Sequence, residues 1–146
     1  MIAQTIQLAL APVFVLVAIG NIMNVLSARL GRIVDRSREL QRLHVATSGA
    51  EHDAVVIEMR AIARRIHLIT RAIFLMVLSG LTIGVTVAVL FVEEFVAVRL
   101  QLVAAALFLL AIGLLMWALM LFLAETRIAS AQLRIPRDLL ELEREL

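Results

Sequence analysis

Apolar residues in this chain are gathered into three long blocks separated by charged segments. Residues 6–26, 73–92 and 100–123 contain no charged side chain. A helix rises about 1.5 Å per residue, so each block can cross the roughly 30 Å hydrocarbon core of a bilayer. The pattern therefore predicts three transmembrane helices. We expect the first to be a retained span and not a signal peptide, because no basic residue precedes it and no small-residue cleavage site follows.

The charged segment between the first two blocks, from Arg29 to Arg71, holds nine of the fourteen arginines. Apolar residues in its second half recur at alternating steps of four and three: Val55, Met59, Ile62, Ile66, Ile69, Ile73 and Met76. Such spacing is typical of a coiled-coil seam. A weaker version of it precedes Thr47-Ser48-Gly49, which interrupts the pattern. We therefore predict two helical arms, one ending near Ala46 and the other starting near Asp53.

These elements define the predicted fold class, an all-α membrane protein with three transmembrane helices. The first two helices extend into a cytosolic antiparallel coiled-coil hairpin. A short C-terminal helix follows the third, because Pro136 suits the first turn of a new helix. The predicted boundaries are transmembrane helix 1 at 1–28, the hairpin at 29–72, transmembrane helix 2 at 73–92, an external turn at 93–99, transmembrane helix 3 at 100–124 and an amphipathic tail at 125–146. The third span is the most apolar, so we expect it to face lipid, with Glu125 marking its exit.

The arginines also predict which way the chain faces, since cytoplasmic loops of membrane proteins carry an excess of basic residues. The hairpin carries nine arginines and the tail four, whereas the external turn carries one. Three spans place the hairpin and the tail on the same side. We expect a protein of the bacterial cytoplasmic (inner) membrane with its N-terminus outside and its hairpin and C-terminus in the cytoplasm.

Two carboxamides lie near the inner end of the first block. Asn21 and Asn24 are three residues apart, so they share a helix face, and Ser27 continues it. Carboxamides in lipid need hydrogen-bonding partners, so this face should point at protein or water. It either joins helices in an oligomer or lines a pore or ligand path.

A basic stripe runs along the second arm. Four residues at steps of four, three and four share one face: Arg60, Arg64, His67 and Arg71. Like charges one turn apart repel each other, so the stripe needs a counter-charge. Asp35 and Glu39 of the first arm, the acidic tail, anionic lipid headgroups or a phosphate-bearing regulator could each supply it.

Two further pairs bear on packing and on a pore mouth. Gly80 and Gly84 have the four-residue spacing that lets membrane helices approach closely. Glu93 and Glu94 end the second block. In an oligomer they would form an external acidic ring, although a solvated turn is the simpler interpretation.

No residue pattern points to catalysis. The chain has no cysteine, and phosphate-binding glycine loops, zinc-binding histidine motifs and serine elbows are missing from the sequence. His44 and His52 flank the hairpin tip, but their spacing matches no metal-ligand set, so we expect solvated turn residues. We therefore predict no enzyme activity, no cofactor and no metal. The net charge of +2 gives no indication of nucleic-acid binding.

Three segments carry a resemblance to a known family. They are residues 6–14 (IQLALAPVF), 24–36 (NVLSARLGRIVDR) and 64–73 (RRIHLITRAI). Through them the chain resembles, from Ile6 to about Glu125, an uncharacterised family of small bacterial integral membrane proteins that is catalogued as a domain of unknown function. The resemblance implies a three-span membrane protein and brings no activity and no functional residues. The tail beyond Arg127 lies outside it.

Two functions of different classes fit these features. The first is a homo-oligomeric ion channel or pore, because three spans are too few to enclose a path alone and the polar face, the glycines and the coiled coil suit subunit assembly. The second is a non-conducting membrane scaffold or regulator whose cytosolic hairpin binds a protein partner or anionic lipid. The expected partners are the lipid bilayer, further copies of the chain and anionic lipid.

Overall fold

The protein is a succession of three long α-helices. The computed structural model describes residues 2–96 and 99–132, with side chains at 6–93, 95–96 and 99–131. Helix α1 spans Ile2–Ala46, α2 spans Ala50–Phe95 and α3 spans Gln101–Gln132. Within those ranges no strand is formed. The predicted all-α class with three long apolar helices is confirmed.

The three helices differ in length. At 1.5 Å per residue, α1 and α2 are each close to 70 Å long and α3 is about 48 Å long. Each contains a segment that is long and apolar enough to cross a membrane. Because a bilayer core takes only about 30 Å of helix, all three helices have length left over, and α1 and α2 have the most.

A three-residue turn joins α1 to α2. The Thr47 hydroxyl donates to the Leu43 carbonyl at 2.8 Å and so closes the last turn of α1. Gly49 follows with φ of 66°, a backbone conformation that side chains with a Cβ rarely adopt. Its carbonyl then accepts a hydrogen bond from the Asp53 amide at 3.2 Å. The α1 helix ends at the residue where the heptad pattern predicts its end, and α2 starts three residues earlier than Asp53.

Helix α2 is the central element and packs against both α1 and α3. The buried residues on each helix recur at steps of seven. They are Ile19, Leu26, Ile33 and Leu40 on α1; Val55, Ile62, Ile69, Met76 and Ile83 on α2; and Ala104, Ala111 and Ala118 on α3. A strict seven-residue repeat keeps one face of a helix against its neighbour over a long distance. Met59, Ile66 and Ile73, the remaining positions of the predicted seam, are partly buried against this core.

Helix α3 is mostly exposed, as expected for a lipid-facing span, but one of its faces is packed. One face, with Ala104, Ala111 and Ala118, is buried against α2. Ser79 of α2 is fully buried and donates to the Ala111 carbonyl at 2.7 Å, so the two backbones lie close together. The small alanine side chains permit this approach, in the way that small residues do at membrane helix contacts. The packed face of α3 therefore differs from its exposed faces in the size of its side chains and not in their polarity.

Helix α3 extends past the predicted end of the third span. The predicted span ends at residue 124 and the predicted tail begins at Glu125. In the structure α3 continues without interruption through Glu125 to Gln132. Glu125, which was predicted to mark the exit of the span, is fully buried. The short helix predicted to begin at Pro136 lies outside the described residues.

The outer surface of the three helices is strongly apolar. Large side chains on all three helices are between 64% and 70% exposed: Phe14, Phe74, Leu81, Leu109 and Trp117. A continuous exposed apolar surface of this kind is unusual for a soluble monomer and is typical of membrane contact. The fold therefore indicates a membrane protein.

Candidate functional site

The most unusual polar group in the structure is the buried carboxylate of Glu125 on α3. Its side chain has no exposed surface. Arg29 of α1 donates from Nη1 to Oε2 at 2.7 Å, and Arg65 of α2 donates from Nε to Oε1 at 2.9 Å. Each carboxylate oxygen thus binds an arginine from a different helix. We call these three residues the arginine–glutamate triad; it joins α1, α2 and α3 at one level.

The neighbours of Arg29 complete this arrangement. Its Nη1 also donates to the Thr126 hydroxyl at 3.1 Å. The guanidinium carbon lies 5.1 Å from the centre of the Phe122 ring, within cation–π range. A carboxylate removed from water is costly unless its oxygens are matched by charged donors, as both are here. The triad is therefore a stringent constraint on the relative position of the three helices.

A basic cavity of about 320 Å³ adjoins the triad. Four arginines line it together with three apolar side chains: Arg29, Arg32, Arg36 and Arg65, with Ile33, Ile62 and Ala129. The two isoleucines belong to the buried core, so they form the floor. We call this the basic cavity. Its walls come from all three helices.

Arg36 at the edge of the basic cavity is held by a forked ion pair. Its Nε and Nη2 donate to the two carboxylate oxygens of Glu58 at 2.8 and 3.0 Å. This hydrogen bonding raises the pKa of Arg36 above its already high ordinary value. The guanidinium is therefore permanently charged and fixed in orientation. Arg32, by contrast, is exposed and forms no ion pair with any of the described residues.

The predicted polar face of α1 points away from the other helices. Asn21, Asn24 and Ser27 are all exposed, and none forms a side-chain hydrogen bond within the described ranges. Gly20 and Gly31 share this face, and a Cβ added at either would meet nothing within 4 Å. At 100° per residue this side of α1 lies opposite its buried stripe. We call these five residues the α1 polar face.

The predicted basic stripe is also exposed. Arg60, Arg64, His67 and Arg71 all face outward on α2. The two acids of the first arm that could have neutralised it bind their own helix: Asp35 lies 3.6 Å from Arg38, and Glu39 lies 3.7 Å from Arg42. The acidic residues of the tail beyond Gln132 lie outside the described residues.

The remaining predicted positions occupy varied surroundings. Gly80 packs against α1, where a Cβ would lie 3.5 Å from a methyl of Leu16, whereas Gly84 faces open space. Glu93 is partly buried in the last turn of α2, and the side chain of Glu94 lies outside the described residues.

The histidines at the hairpin tip contact each other instead of standing apart in solvent. The rings of His44 and His52 lie 4.4 Å apart between centroids. The part of the chain that the structure describes contains no group of three or more histidines and acids able to hold a metal. The two histidine rings are therefore in contact with each other across the tip of the hairpin.

The triad was not among the residues singled out from the sequence, although a signal for it is present. Glu125 is the next seven-residue step after Ala104, Ala111 and Ala118. Arg65 likewise precedes the series Ala72, Ser79 and Thr86, all buried on the side of α2 that meets α3. Extending these two series would have placed both charges inside the helix contact.

The three helices are antiparallel, have an apolar exterior and carry a group of charged residues at one end. These features define the class of the protein: it is a small α-helical protein with the surface of a membrane protein. The chain belongs to the family described as Protein of unknown function (DUF2721), whose sequence profile matches residues 9–135. The family resemblance is thus confirmed, and it extends beyond Arg127, where sequence analysis had ended it. No curated protein and no solved structure matches the chain.

Proposed function

We propose that the protein is a homo-oligomeric integral membrane protein whose subunits meet at the α1 polar face and conduct ions along it. The observation that carries the proposal is that this face is polar and exposed and forms no side-chain hydrogen bond with the described residues. Four of its five residues, Gly20, Asn21, Asn24 and Ser27, lie within the first predicted span, at 1–28. A span with such a face needs a partner, and the described part of the chain does not supply one.

Physical chemistry favours further copies of the chain as that partner. Asn21 and Asn24 would each lose hydrogen bonds to water on entering lipid, which is costly unless another polar group replaces them. Gly20 leaves room for a second helix to approach closely within the span, as small residues do in membrane helix pairs, and Gly31 leaves the same room in the arm. A symmetric assembly brings identical faces together around an axis.

The same geometry supports the proposal of a pore. Each chain packs α1 and α3 against α2 and leaves the α1 polar face exposed, so a water-filled path along that face requires several copies. Asn21, Asn24 and Ser27 would line that path, and Glu93 with Glu94 would surround its external mouth. In channels, rings of polar and acidic side chains replace the water molecules that hydrate a cation in solution.

The parts beyond the bilayer fit an assembly role. We propose that the arms of α1 and α2 form a cytosolic coiled-coil hairpin, with the N-terminus outside and the C-terminus in the cytoplasm. Nine arginines between Arg29 and Arg71 support this orientation by the rule for cytoplasmic loops. The seven-residue spacing of buried residues continues from the apolar segments into these arms, so the hairpin is a rigid extension of the spans.

Ion flux from liposomes tests conduction. Purified full-length protein is expected to release a cation gradient, and Asn24→Leu is expected to remove most of that flux, because an apolar ring in a narrow path expels water. Gly113→Leu is the matched control: Gly113 is exposed on α3 and a Cβ there also meets nothing. Flux that is absent from the unmodified protein, or equal in both variants, would contradict a pore on this face.

A second candidate function rests on the exposed basic stripe. Arg60, Arg64, His67 and Arg71 form no ion pair with the residues that the structure describes, so they are accessible to an acidic protein or to anionic lipid. This supports a non-conducting scaffold or regulator that recruits a partner through its hairpin. An oligomer that forms normally but passes no ions in the flux measurement would favour it.

A further inference from the structure

We propose that the basic stripe of α2 binds anionic phospholipids of the cytoplasmic leaflet. This inference names one partner for the second candidate function, and it rests on the membrane insertion proposed above. It is separate from the α1 polar face and does not depend on how many copies of the chain assemble.

The basic stripe is continuous with an apolar face of α2. After Arg71 the exposed positions continue at the same steps of three and four, and they are 39% to 66% exposed: Phe74, Leu78, Leu81 and Val85. At 100° per residue all of these positions lie opposite the buried seam of α2. One exposed side of a single helix therefore changes from cationic to apolar between Arg71 and Phe74. In a membrane helix such a change marks the boundary of the hydrocarbon core.

The charges of the stripe are available to a ligand. Arg60, Arg64 and Arg71 form no ion pair with any residue that the structure describes. The sequence of α2 has no acidic residue between Glu58 and Glu93, and Glu58 is itself held in an ion pair with α1. Three positive charges that no described carboxylate compensates will attract headgroups with net negative charge.

The depth of each arginine distinguishes a lipid surface from an acidic protein. Measured along the helix, Arg71 lies about 4.5 Å from Phe74, and the corresponding distances for Arg64 and Arg60 are about 15 Å and about 21 Å. The headgroup region of one leaflet is about 5–8 Å thick, and its attraction for charge decays over a Debye length of about 8 Å. Arg71 is therefore within the headgroup region, Arg64 is within one Debye length of it, and Arg60 is outside. A leaflet should attract them in that order, whereas an acidic helix along the stripe would bind all three alike.

Quenching of tryptophan fluorescence by brominated lipids tests the proposal. The full-length chain has one tryptophan, Trp117 on α3. A double variant, Trp117→Phe with Phe74→Trp, moves this reporter to the exposed face of α2, next to the stripe. Both side chains are 66% exposed in the structure, so neither exchange disturbs a packed contact.

The two reporters are matched in depth. Ser79 of α2 is hydrogen-bonded to the Ala111 carbonyl of α3, and the two helices are antiparallel. Phe74 precedes Ser79 by five residues and Trp117 follows Ala111 by six, so both lie at nearly the same level. They differ in their surroundings, because α3 has no basic residue between Trp117 and Arg127.

Vesicles of phosphatidylglycerol and phosphatidylcholine, with bromine on the acyl chains of one lipid at a time, give the relative affinity of the two lipids at each reporter. At the Phe74→Trp reporter we expect a preference for phosphatidylglycerol of about tenfold, from about fivefold for Arg71 and about twofold for the partly screened Arg64. At Trp117 the two lipids should bind about equally. Equal preference at both reporters would overturn the proposal.

Substitutions in the Phe74→Trp reporter test the order of the arginines. Arg71→Gln should lower the preference about fivefold, and Arg71→Lys should retain it, because a leaflet attracts either basic side chain. Arg60→Gln is the matched control and should change nothing, since Arg60 is an exposed arginine of the same stripe beyond the reach of the leaflet. Equal losses from Arg71→Gln and Arg60→Gln would contradict binding to the leaflet.

The same measurements keep this inference distinct from the proposed function. Quenching at both reporters by either lipid reports insertion, whereas only the difference between the lipids reports binding by the stripe. Quenching without any preference would overturn the inference, leave insertion intact and favour an acidic protein as the partner. Absence of quenching at both reporters would contradict insertion and this inference with it.

Discussion

We expect the Glu125→Gln substitution to lower the free energy of unfolding by about 3 kcal/mol, because it leaves two arginines facing a neutral amide inside the helix contact. Glu125 is fully buried, whereas the side chains of Arg29 and Arg65 retain 28% and 18% exposure. Water can therefore reach the arginines in part but not the carboxylate. Glu125 lies where α1, α2 and α3 meet, so the substitution should lower the stability of all three helices together.

Unfolding by a denaturing detergent, followed by circular dichroism, measures this effect. Glu39→Gln is the control, since Glu39 forms an exposed pair with Arg42 and such pairs contribute at most about 1 kcal/mol. A triple replacement by apolar residues, Arg29→Met, Arg65→Met and Glu125→Leu, should recover much of the stability, because none of the three charges of the triad is left facing a neutral group. Equal behaviour of Glu125→Gln and Glu39→Gln would show that the triad does not hold the helices together.

The second large effect is expected at the α1 polar face. Gly20→Leu should dissociate the oligomer, because the leucine side chain occupies the space that a second α1 needs. Overpacking of a close contact costs about 1–3 kcal/mol, and each contact between subunits would be destabilised by this amount. The single chain should be unaffected, since a Cβ at Gly20 meets nothing within 4 Å. Energy transfer between differently labelled subunits in liposomes measures the change in association.

Gly113→Leu serves as the control for this substitution too. Gly113 lies in the apolar part of α3, is exposed and has the same open space around it. The two variants therefore add the same side chain to the surface of different helices. Loss of energy transfer in Gly113→Leu but not in Gly20→Leu would move the subunit contact from α1 to α3.

Much of the fold follows from periodicity in the sequence. Uncharged blocks are long enough to identify three helices without reference to any partner. The 4–3 spacing from Val55 to Met76 identifies the side of α2 that is buried, and four of its residues are in the core. Thr47-Ser48-Gly49 marks the turn because the backbone at Gly49 needs a glycine. These features are local, so one chain is sufficient to predict them.

The triad could not be predicted in the same way, because it depends on which faces of three helices meet. Helix α3 is apolar on every side in the bilayer region, so polarity does not reveal its packed face. Only the small size of Ala104, Ala111 and Ala118 does. Glu125 was interpreted only as the residue that marks the exit of the third span. In α3, the seven-residue repeat of small side chains identifies the packed face, and the hydropathy pattern does not.

Cross-linking through a single introduced cysteine tests most directly whether copies of the chain meet at the α1 polar face. The chain has no cysteine, so Ser27→Cys provides one reactive site of nearly the same size. Thr70→Cys is the control, because Thr70 is exposed on α2 close in level to Ser27. With a short thiol cross-linker in native membranes, Ser27→Cys should give covalent dimers and Thr70→Cys should not. Monomers alone from Ser27→Cys, or equal dimers from both variants, would contradict assembly through α1.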